Sequence, residues 1–276
     1  MILAARAAGV PVTVLSHDSK PSQARDGEMS DCGPCPSKLW CLVSGGKDSL
    51  TSAHVLASQN RLAGCVFVDT GIALPEVQGF VKDVCQERGW PLEVYRTPAV
   101  YESLVVAYEF PGPAMHNMFM NYLKMRGVRL WKKMHPGEQL ASGVRQEESA
   151  RRLAIVEPES IIEGVRVEAP IFDWSTQKVW DYISANNIPK SPGYKTLHLS
   201  GDCLCGAFAH PEERQILQTF HPDVWKRLKL LEDYLEASGI VKNQWAWKWG
   251  NRGGPKKTES STAERLACET CLREKW

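Results

Sequence analysis

The sequence has almost no net charge, no long apolar run and no internal repeat. Its 33 Lys and Arg residues are balanced by 32 Asp and Glu residues, which leaves a formal charge of +1. This balance provides no global field of the kind that draws a protein to nucleic acid or a membrane, so only local patches remain for DNA or RNA. No apolar stretch reaches the ~20 residues of a membrane helix, and residues 1–15 lack a basic leader. We expect a cytoplasmic protein without membrane contact.

Cysteine, by contrast, is plentiful, with nine residues in the chain. A disulfide framework is not expected in a reducing compartment, and an odd count argues the same way. Metal or cluster binding is therefore the better hypothesis for the closely spaced cysteines.

The hydrophobic pattern divides the chain into three parts. Residues 1–37 are rich in Ala, Ser, Pro and Gly and predict an irregular N-terminal extension. Residues 38–200 alternate short apolar runs with longer amphipathic stretches, which predicts a parallel sheet flanked by helices, an α/β fold. Residues 201–276 predict a helical segment that carries cysteines. The expected strands are LWCLV, AGCVFVDTG, LEVYRT, QLASGVR and VEAPIFDW; the expected helices of the middle part are SLTSAHVLASQN, ALPEVQGFVKDVCQERG and MHNMFMNYLKMRGVRLWKKM.

The most informative stretch is the glycine-rich turn, residues 44–49, which reads SGGKDS directly after the strand LWCLV. Two glycines let backbone N–H groups crowd around an anion, and the following helix adds its positive dipole end. Lys47 supplies a mobile charge, and Asp48 suits a Mg²⁺ ion that bridges phosphate oxygens. The alternative is a tight turn in which Asp48 or Ser49 caps the helix. The turn is not a Walker A loop, which would read G-x-x-x-x-G-K-[ST].

This turn resembles the SGG-x-D-S signature of the PP-loop adenine-nucleotide enzymes. Three further stretches resemble motifs of the phosphoadenosine-phosphosulfate reductase superfamily in the same order, namely FVDTGIALPEV, SGVRQEESARR and APIFDWSTQKVWDYI. The resemblance covers roughly residues 40–185. It implies the adenine nucleotide alpha-hydrolase-like fold and a nucleotide ligand, either ATP or an adenylyl sulfate, with Mg²⁺.

The resemblance also implies roles for individual residues. Asp69 and Thr70 would flank the adenosine. Arg145 would contact the α-phosphate or the group attached to it, which agrees with the fixed forked donor that a shifting charge requires. The phosphate-containing part of the nucleotide would be held by Ser44, Gly45, Gly46, Lys47, Asp48 and Ser49. The residues beside Arg145 would be Glu148, Ser149 and Arg152. The catalytic residues would be Lys47, Asp48 and Arg145.

Four cysteines form two close pairs near the end of the chain: Cys203 with Cys205, and Cys268 with Cys271. Four thiolates make a tetrahedral site that suits zinc or an iron–sulfur cluster. Members of the resembled superfamily often carry a [4Fe–4S] cluster, which favours iron–sulfur over zinc. Both pairs are expected in exposed loops.

The other cysteines have simpler interpretations. Cys32 and Cys35 form a C-x-x-C in the N-terminal extension, where a function, as a redox pair or as substitute metal ligands, and an accidental pair are equally open. Cys41, Cys65 and Cys85 fall in expected strands or a helix and are predicted to be small buried hydrophobes. Trp174, Trp180 and Tyr182 are likewise expected to pack in the core.

The resemblance leaves two enzymatic readings. In the first, the protein is an ATP pyrophosphatase that adenylates an acceptor, best the DNA backbone, for sulfur insertion, as in the sulfurtransferases of DNA phosphorothioation (DndC- and SspD-like proteins). A cysteine desulfurase would then be the sulfur donor. In the second, it is a sulfonucleotide reductase that attacks an adenylyl sulfate with a cysteine thiolate. The chain contains no E-C-G-L-[HK]-like motif, and its first cysteine pair follows the last strand, which favours the first reading.

Two stretches, RLWKKM and KNQWAWKWGNRGGPKK, place basic residues beside tryptophan. This composition suits binding to a phosphate backbone and stacking on bases. For Trp245, Trp247 and Trp249 the alternative is packing inside the protein. A non-catalytic nucleotide-binding subunit is the third hypothesis.

Overall fold

The computed structural model describes residues 37–96, 100–148, 157–209, 212–239 and 248–250. The predictions made for Ser149, Arg152, Cys268, Cys271, Cys32 and Cys35 fall outside these ranges, as do those for Trp245 and Trp247. The described residues build a six-stranded, mostly parallel sheet flanked by helices, which confirms the α/β class.

The sheet has the order β3-β2-β1-β4-β6-β5. All its pairings are parallel except that between β5 and β6, which is antiparallel. The strands are β1 (Leu39–Val43), β2 (Leu62–Asp69), β3 (Leu92–Arg96), β4 (Leu140–Ala141), β5 (Glu159–Ile162) and β6 (Val165–Glu168).

Three of the expected strands match closely, and the other two need correction. QLASGVR contributes only the two residues of β4, because the chain then leaves the ladder to bring Gly143 against the glycine-rich turn. VEAPIFDW begins inside β6 and then turns, so that the strand ends at Glu168. β5 was not predicted, since its exposed edge position leaves Ile161 outside the core and removes the apolar run that marks the inner strands.

The three predicted helical stretches and the C-terminal segment contain helices, and the longest stretch is interrupted. The helices Tyr101–Tyr108 and Thr176–Ala185 were not predicted. A π-helical turn, Asn121–Met125, separates α4 (His116–Met120) from α5 (Arg126–Met134). Pro222 is the first residue of the helix Pro222–Ser238, a position that suits proline. The remaining helices are α1 (Lys47–Ser58), α2 (Pro75–Glu87), α3 (Tyr101–Tyr108), α6 (Thr176–Ala185), α7 (Glu213–Phe220) and α8 (Pro222–Ser238).

The core covers both faces of the sheet. Val66 and Phe67 of β2 enter different hydrophobic clusters because successive side chains point to opposite faces. Leu217 of α7 and Leu228 of α8 are buried in the same cluster as Phe67, so these helices share the core of the sheet. Trp131 is fully buried in the other cluster, which leaves it no exposed ring to stack on a base.

The predicted packing roles are confirmed for the cysteines and aromatics of this core. Three cysteines are fully buried. Three half-buried aromatic side chains pack against a third hydrophobic cluster, which includes Leu50 of α1 and Val179 of α6. The cysteines are Cys41, Cys65 and Cys85; the aromatics are Trp174, Trp180 and Tyr182.

Parallel pairing places the carboxyl ends of five strands at one edge of the sheet, here called the carboxyl edge. The chain runs outward from β1 through β2 to β3 and then returns to place β4 on the other side of β1. Ligands of open α/β sheets bind at such a reversal of strand order. The crevice between the ends of β1 and β4 is therefore the place to look for a site. None of the helices in the described ranges has the length and apolarity needed to cross a bilayer.

Candidate functional site

The glycine-rich turn closes on itself through hydroxyl groups. Gly45 has φ of 77°, a left-handed conformation that glycine adopts without strain. The Ser49 hydroxyl accepts a hydrogen bond from the Ser44 backbone N–H at 3.1 Å and donates to the Gly46 carbonyl at 3.0 Å. The Ser44 hydroxyl accepts from the Gly46 N–H at 3.3 Å. Gly46 is the N-cap of α1, so neither Asp48 nor Ser49 caps this helix.

A line of alternating charges lies at the first turn of α1. The Lys47 ammonium contacts Asp48 Oδ2 at 2.9 Å, and Arg145 Nε donates to Asp48 Oδ1 at 2.6 Å. Arg145 is buried, with 1% of its side chain exposed, and it donates further to the Trp174 carbonyl and the Thr176 hydroxyl. Arg145 thus lies beside the glycine-rich turn, where its observed partner is Asp48, and its predicted contact with a phosphate stays a prediction.

The loop after β4 is locked against α1. A Cβ atom on Gly143 would lie 2.5 Å from the Ser49 nitrogen and 2.6 Å from the Asp48 carbonyl carbon. One turn further along the helix, the Ser52 hydroxyl donates to the Ser142 carbonyl at 3.2 Å. This close backbone approach fixes the distance between Arg145 and the glycine-rich turn.

The D-T-G loop, residues 69–71, follows β2 one strand away from the glycine-rich turn. Asp69 Oδ1 accepts from the Gly71 N–H at 2.8 Å, and its other oxygen lies 3.4 Å from Arg96 Nε. Thr70 is buried, and its hydroxyl donates to the Asp202 carbonyl at 3.0 Å. The two residues predicted to flank the adenosine therefore lie at the carboxyl edge, with the Thr70 hydroxyl directed into the protein.

A segment that the sequence did not single out, residues 191–202, lies over both of these loops. The Tyr194 hydroxyl accepts from the Lys47 backbone N–H at 3.1 Å. Ser200 lies beside Gly46, and its hydroxyl donates to Asp202 Oδ1 at 2.7 Å. Asp202 Oδ2 binds the Lys124 ammonium at 2.6 Å. The only local signal was S-G-D before the first cysteine pair, in which Gly201 has φ of 76°.

The segment leads directly into the cysteine loop, residues 203–209, which is irregular but, apart from Phe208, mostly buried. Cys205 is 8% exposed and Cys203 is half-buried, so the expectation of an exposed setting for this pair is wrong. The reason is that Leu204 and Ala207 anchor the loop in the core.

Cys203 and Cys205 are close enough to share a proton. A hydrogen bond from Cys203 lowers the pKa of Cys205 to about 7, against the opposing effect of burial. The same bond and burial raise the pKa of Cys203, which keeps its proton. Burial alone would lower the pKa of Lys124, but the charge of Asp202 and the hydrogen bond to it raise this pKa above its usual value. A thiolate on Cys205, beside the Lys124 ammonium, therefore becomes populated as the pH rises through about 7.

A cavity of about 250 Å³ opens beside the two sulfurs. It lies between the π-helical turn and the cysteine loop, and π-helical turns are frequent at functional sites. Its lining is mainly apolar with a few charged groups, and includes Phe119, Leu123, Lys124, Cys203, Cys205 and Trp249.

Trp249 ties a later part of the chain to the cysteine loop. It is fully buried, and its indole N–H donates to the Leu204 carbonyl at 2.8 Å. Its backbone N–H donates to Glu232, which Arg214 binds through both guanidinium nitrogens. The packing alternative therefore holds for Trp249. The contact also brings the chain beside Cys203 and Cys205 before it continues toward Cys268 and Cys271.

Of the residues predicted for nucleotide binding, nine are described at one end of the sheet, around the β1–β4 crevice. These are Ser44, Gly45, Gly46, Lys47, Asp48, Ser49, Asp69, Thr70 and Arg145. Glu148 ends the 3₁₀ turn Gln146–Glu148 in the same loop.

Comparison with known families gives one match over more than half of the chain. The model of the phosphoadenosine phosphosulfate reductase domain matches residues 38–204. The matched range includes the glycine-rich turn, the D-T-G loop and Arg145, and it ends inside the cysteine loop.

Individual relatives are distant. An uncharacterized protein of Methanocaldococcus jannaschii is 27% identical over 218 residues, which span 74% of this chain and 45% of that protein. A phosphoadenosine 5'-phosphosulfate reductase of Vibrio cholerae is 26% identical over 163 residues, or 57% of this chain and 63% of the reductase. The crystal structure of phosphoadenylyl-sulfate reductase from Candida auris in complex with phosphate aligns with a TM-score of 0.43 at 15% identity, covering 55% of this chain and 74% of that one.

Proposed function

This chain belongs to the phosphoadenosine phosphosulfate reductase domain family, and from that premise we propose that it is an ATP pyrophosphatase that activates an acceptor for sulfur insertion. The acceptor oxygen would attack the α-phosphorus of ATP, the bond between that phosphorus and the bridging oxygen would break, and pyrophosphate would leave. The product is an adenylated acceptor, from which a sulfur nucleophile then displaces AMP.

The observation that carries this proposal is the charge line Lys47–Asp48–Arg145 in the β1–β4 crevice. Before a phosphate binds, Asp48 balances both cations. A polyphosphate in the crevice offers Lys47 a stronger anionic acceptor, so its ammonium can move from Asp48 to the leaving pyrophosphate. Arg145 is held by the Trp174 carbonyl and the Thr176 hydroxyl as well, and it keeps Asp48 in place during this exchange.

Mg²⁺ fits this crevice only as a companion of the nucleotide. Each oxygen of Asp48 already contacts one cation, and no group of three metal-ligating side chains exists in the described ranges. A carboxylate retains further lone pairs, so Asp48 would be the protein ligand of an ion held mainly by phosphates and water. The ion would supply charge neutralisation on the leaving pyrophosphate.

The cysteine pair fits half of an iron–sulfur or zinc site. Cys203 and Cys205 are adjacent, one of them readily ionises, and the cavity beside them has room for a compact inorganic group. We propose that Cys268 and Cys271 complete a [4Fe–4S] site, with zinc as the alternative. The Trp249 contact supports this only in that it places residue 249 beside the cysteine loop. A cluster here would hold or relay sulfur, or stabilise the C-terminal segment.

The acceptor and the sulfur donor belong to the finer part of the proposal. DNA as acceptor and a cysteine desulfurase as donor follow from the resemblance to DndC- and SspD-like proteins. The rings of Trp131 and Trp249 are buried and are therefore not available for base stacking.

Sulfonucleotide reduction is the second candidate, and two observations favour it. The Vibrio relative is named a phosphoadenosine 5'-phosphosulfate reductase. A thiol with a pKa of about 7, that of Cys205, is also a competent nucleophile at neutral pH.

One anaerobic experiment separates the two. Full-length protein is incubated with Mg-ATP, DNA, cysteine and a desulfurase while pyrophosphate is measured, and in parallel with adenylyl sulfate or phosphoadenylyl sulfate and a dithiol while sulfite is measured. We expect DNA-dependent pyrophosphate release, reduced at least 100-fold in Asp48→Asn and unchanged in Asp83→Asn, an exposed position on α2. Sulfite formation without pyrophosphate release would reverse the assignment.

A further inference from the structure

One contact at the glycine-rich turn comes from a residue far away in the sequence. The backbone N–H of Lys47, the first residue of α1, donates to the Tyr194 hydroxyl at 3.1 Å. The first N–H groups of a helix have no partner within the helix, and they are the donors that bind phosphate at such turns. Tyr194 therefore occupies a position that the fold otherwise offers to an anion.

Two other donors of the turn have partners within the turn itself. The N–H groups of Ser44 and Gly46 bind hydroxyls of Ser49 and Ser44, which belong to the turn itself. These short-range bonds can rearrange locally when a ligand binds. The Lys47 N–H is different, because its acceptor, the Tyr194 hydroxyl, belongs to another segment. This hydroxyl must move away before the N–H can bind a ligand.

The surrounding packing holds Tyr194 at this place. The residue lies in the 3₁₀ turn Pro192–Lys195, and its ring meets Trp180 edge-on at 6.0 Å between centroids. The backbone of Gly193 packs closely against residue 199 of the same segment. A Cβ atom on Gly193 would lie 2.6 Å from the Leu199 carbonyl oxygen. The Ser191 hydroxyl donates to the Ser200 carbonyl at 2.8 Å and closes the segment. The hydroxyl of Tyr194 is thus presented to Lys47 by a compact unit.

We propose that the Tyr194 hydroxyl stands in for a phosphate oxygen and must leave the Lys47 N–H when a nucleoside polyphosphate or pyrophosphate binds. This inference rests on the proposed function only insofar as the glycine-rich turn binds phosphate. A phosphate oxygen is charged and accepts more strongly than a neutral phenol, so the exchange is favourable. The hydroxyl nevertheless lowers the apparent affinity, because only the fraction of molecules with the N–H released is ready to bind.

The expected effect of removing the Tyr194 hydroxyl is tighter ligand binding, which a misfolded variant would not show. Tyr194→Phe keeps the ring against Trp180 and removes only the competing oxygen, so it should tighten binding. A neutral hydrogen bond contributes about 1 kcal/mol, which corresponds to roughly fivefold in a dissociation constant at 25 °C. If the hydroxyl instead donated to the bound phosphate, the same substitution would weaken binding.

The test is calorimetric titration of the full chain with Mg-ATP and, separately, with pyrophosphate. The control is Tyr182→Phe, which removes a phenol that bonds to His54 at 2.9 Å, about two turns along α1 from the glycine-rich turn. Thermal melts of all three proteins confirm that they are folded. We expect roughly fivefold tighter binding of both ligands to Tyr194→Phe and an unchanged affinity in Tyr182→Phe.

Two other outcomes of the titrations would overturn the inference. Equal or weaker binding by Tyr194→Phe, with wild-type protein binding normally, would overturn the inference and leave the proposed function intact. Absence of binding to wild type and both variants would overturn the proposed function and this inference together.

Discussion

Gly143→Ala adds a single methyl group, yet we expect it to have a large effect on nucleotide turnover. The added Cβ would lie 2.5 Å from the Ser49 nitrogen and 2.8 Å from the Ser49 Cα. Carbon contacts begin near 3.5 Å, so the two segments must separate by about 1 Å. The obstructing atoms are backbone, and they cannot rotate away as a side chain would.

This separation has two consequences of different size. Overpacking of this kind costs about 1–3 kcal/mol of stability, or roughly 2–9 °C in melting temperature for a chain of this length. A displacement of ~1 Å at a reacting centre costs about 100-fold in turnover. Because Gly143 sets the distance between Arg145 and the glycine-rich turn, we expect a greater loss in nucleotide turnover than the loss in stability explains.

Gly79→Ala is the matched control. Gly79 lies on α2 with nothing within 4 Å of its Cβ position, so alanine should stabilise the helix by up to about 1 kcal/mol without affecting turnover. Melting temperature by circular dichroism and pyrophosphate release from ATP are measured on both variants. A Gly143→Ala protein with wild-type melting temperature and wild-type turnover would refute the reasoning.

Three other predictions concern the C-terminal half. Arg214→Ala leaves Glu232 buried without its cation and should lower the free energy of unfolding in urea by about 2–3 kcal/mol, whereas Arg166→Ala on the exposed β5–β6 hairpin should leave the urea midpoint unchanged. Trp249→Phe removes the indole hydrogen bond to the cysteine loop and should cost about 1 kcal/mol and accelerate thiol modification there; equal modification rates would contradict the anchoring role. In protein stripped of metal, Cys205 should be alkylated with a midpoint near pH 7, because the reactive thiolate forms above its lowered pKa and is lost below it; a midpoint near 9 would show that the Cys203 bond is not made.

Much of the site could be predicted because local sequence encodes local geometry. The pattern strand–Gly–Gly–Lys–Asp–Ser requires a turn with a left-handed residue, and Gly45 provides it. Alternating apolar runs marked β1, β2 and β3 to within two residues, since inner strands are buried on both faces. Arg145 lies beside Asp48 because the ends of β1 and β4 meet at one edge, and this contact was not predicted.

The parts that could not be predicted depend on contacts between distant residues. Tyr194 and Asp202 are common residue types in an irregular segment, and nothing nearby in sequence indicates that they reach Lys47 and Thr70. The burial of Cys205 depends likewise on packing with α7 and α8. The edge strand β5 lacks the apolar run of the inner strands because one of its faces meets solvent.

The segment from Tyr194 to Cys203 has a consequence for how this protein tolerates change in length. Tyr194, at one end, contacts the Lys47 N–H at the glycine-rich turn. Cys203, at the other end, lines the cavity and directly follows Asp202, which is paired with Lys124. A one-residue insertion or deletion between these ends would shift the sulfurs relative to the turn, even though neither end is itself altered. The spacing of this stretch is thus as much a functional requirement as the identity of its side chains.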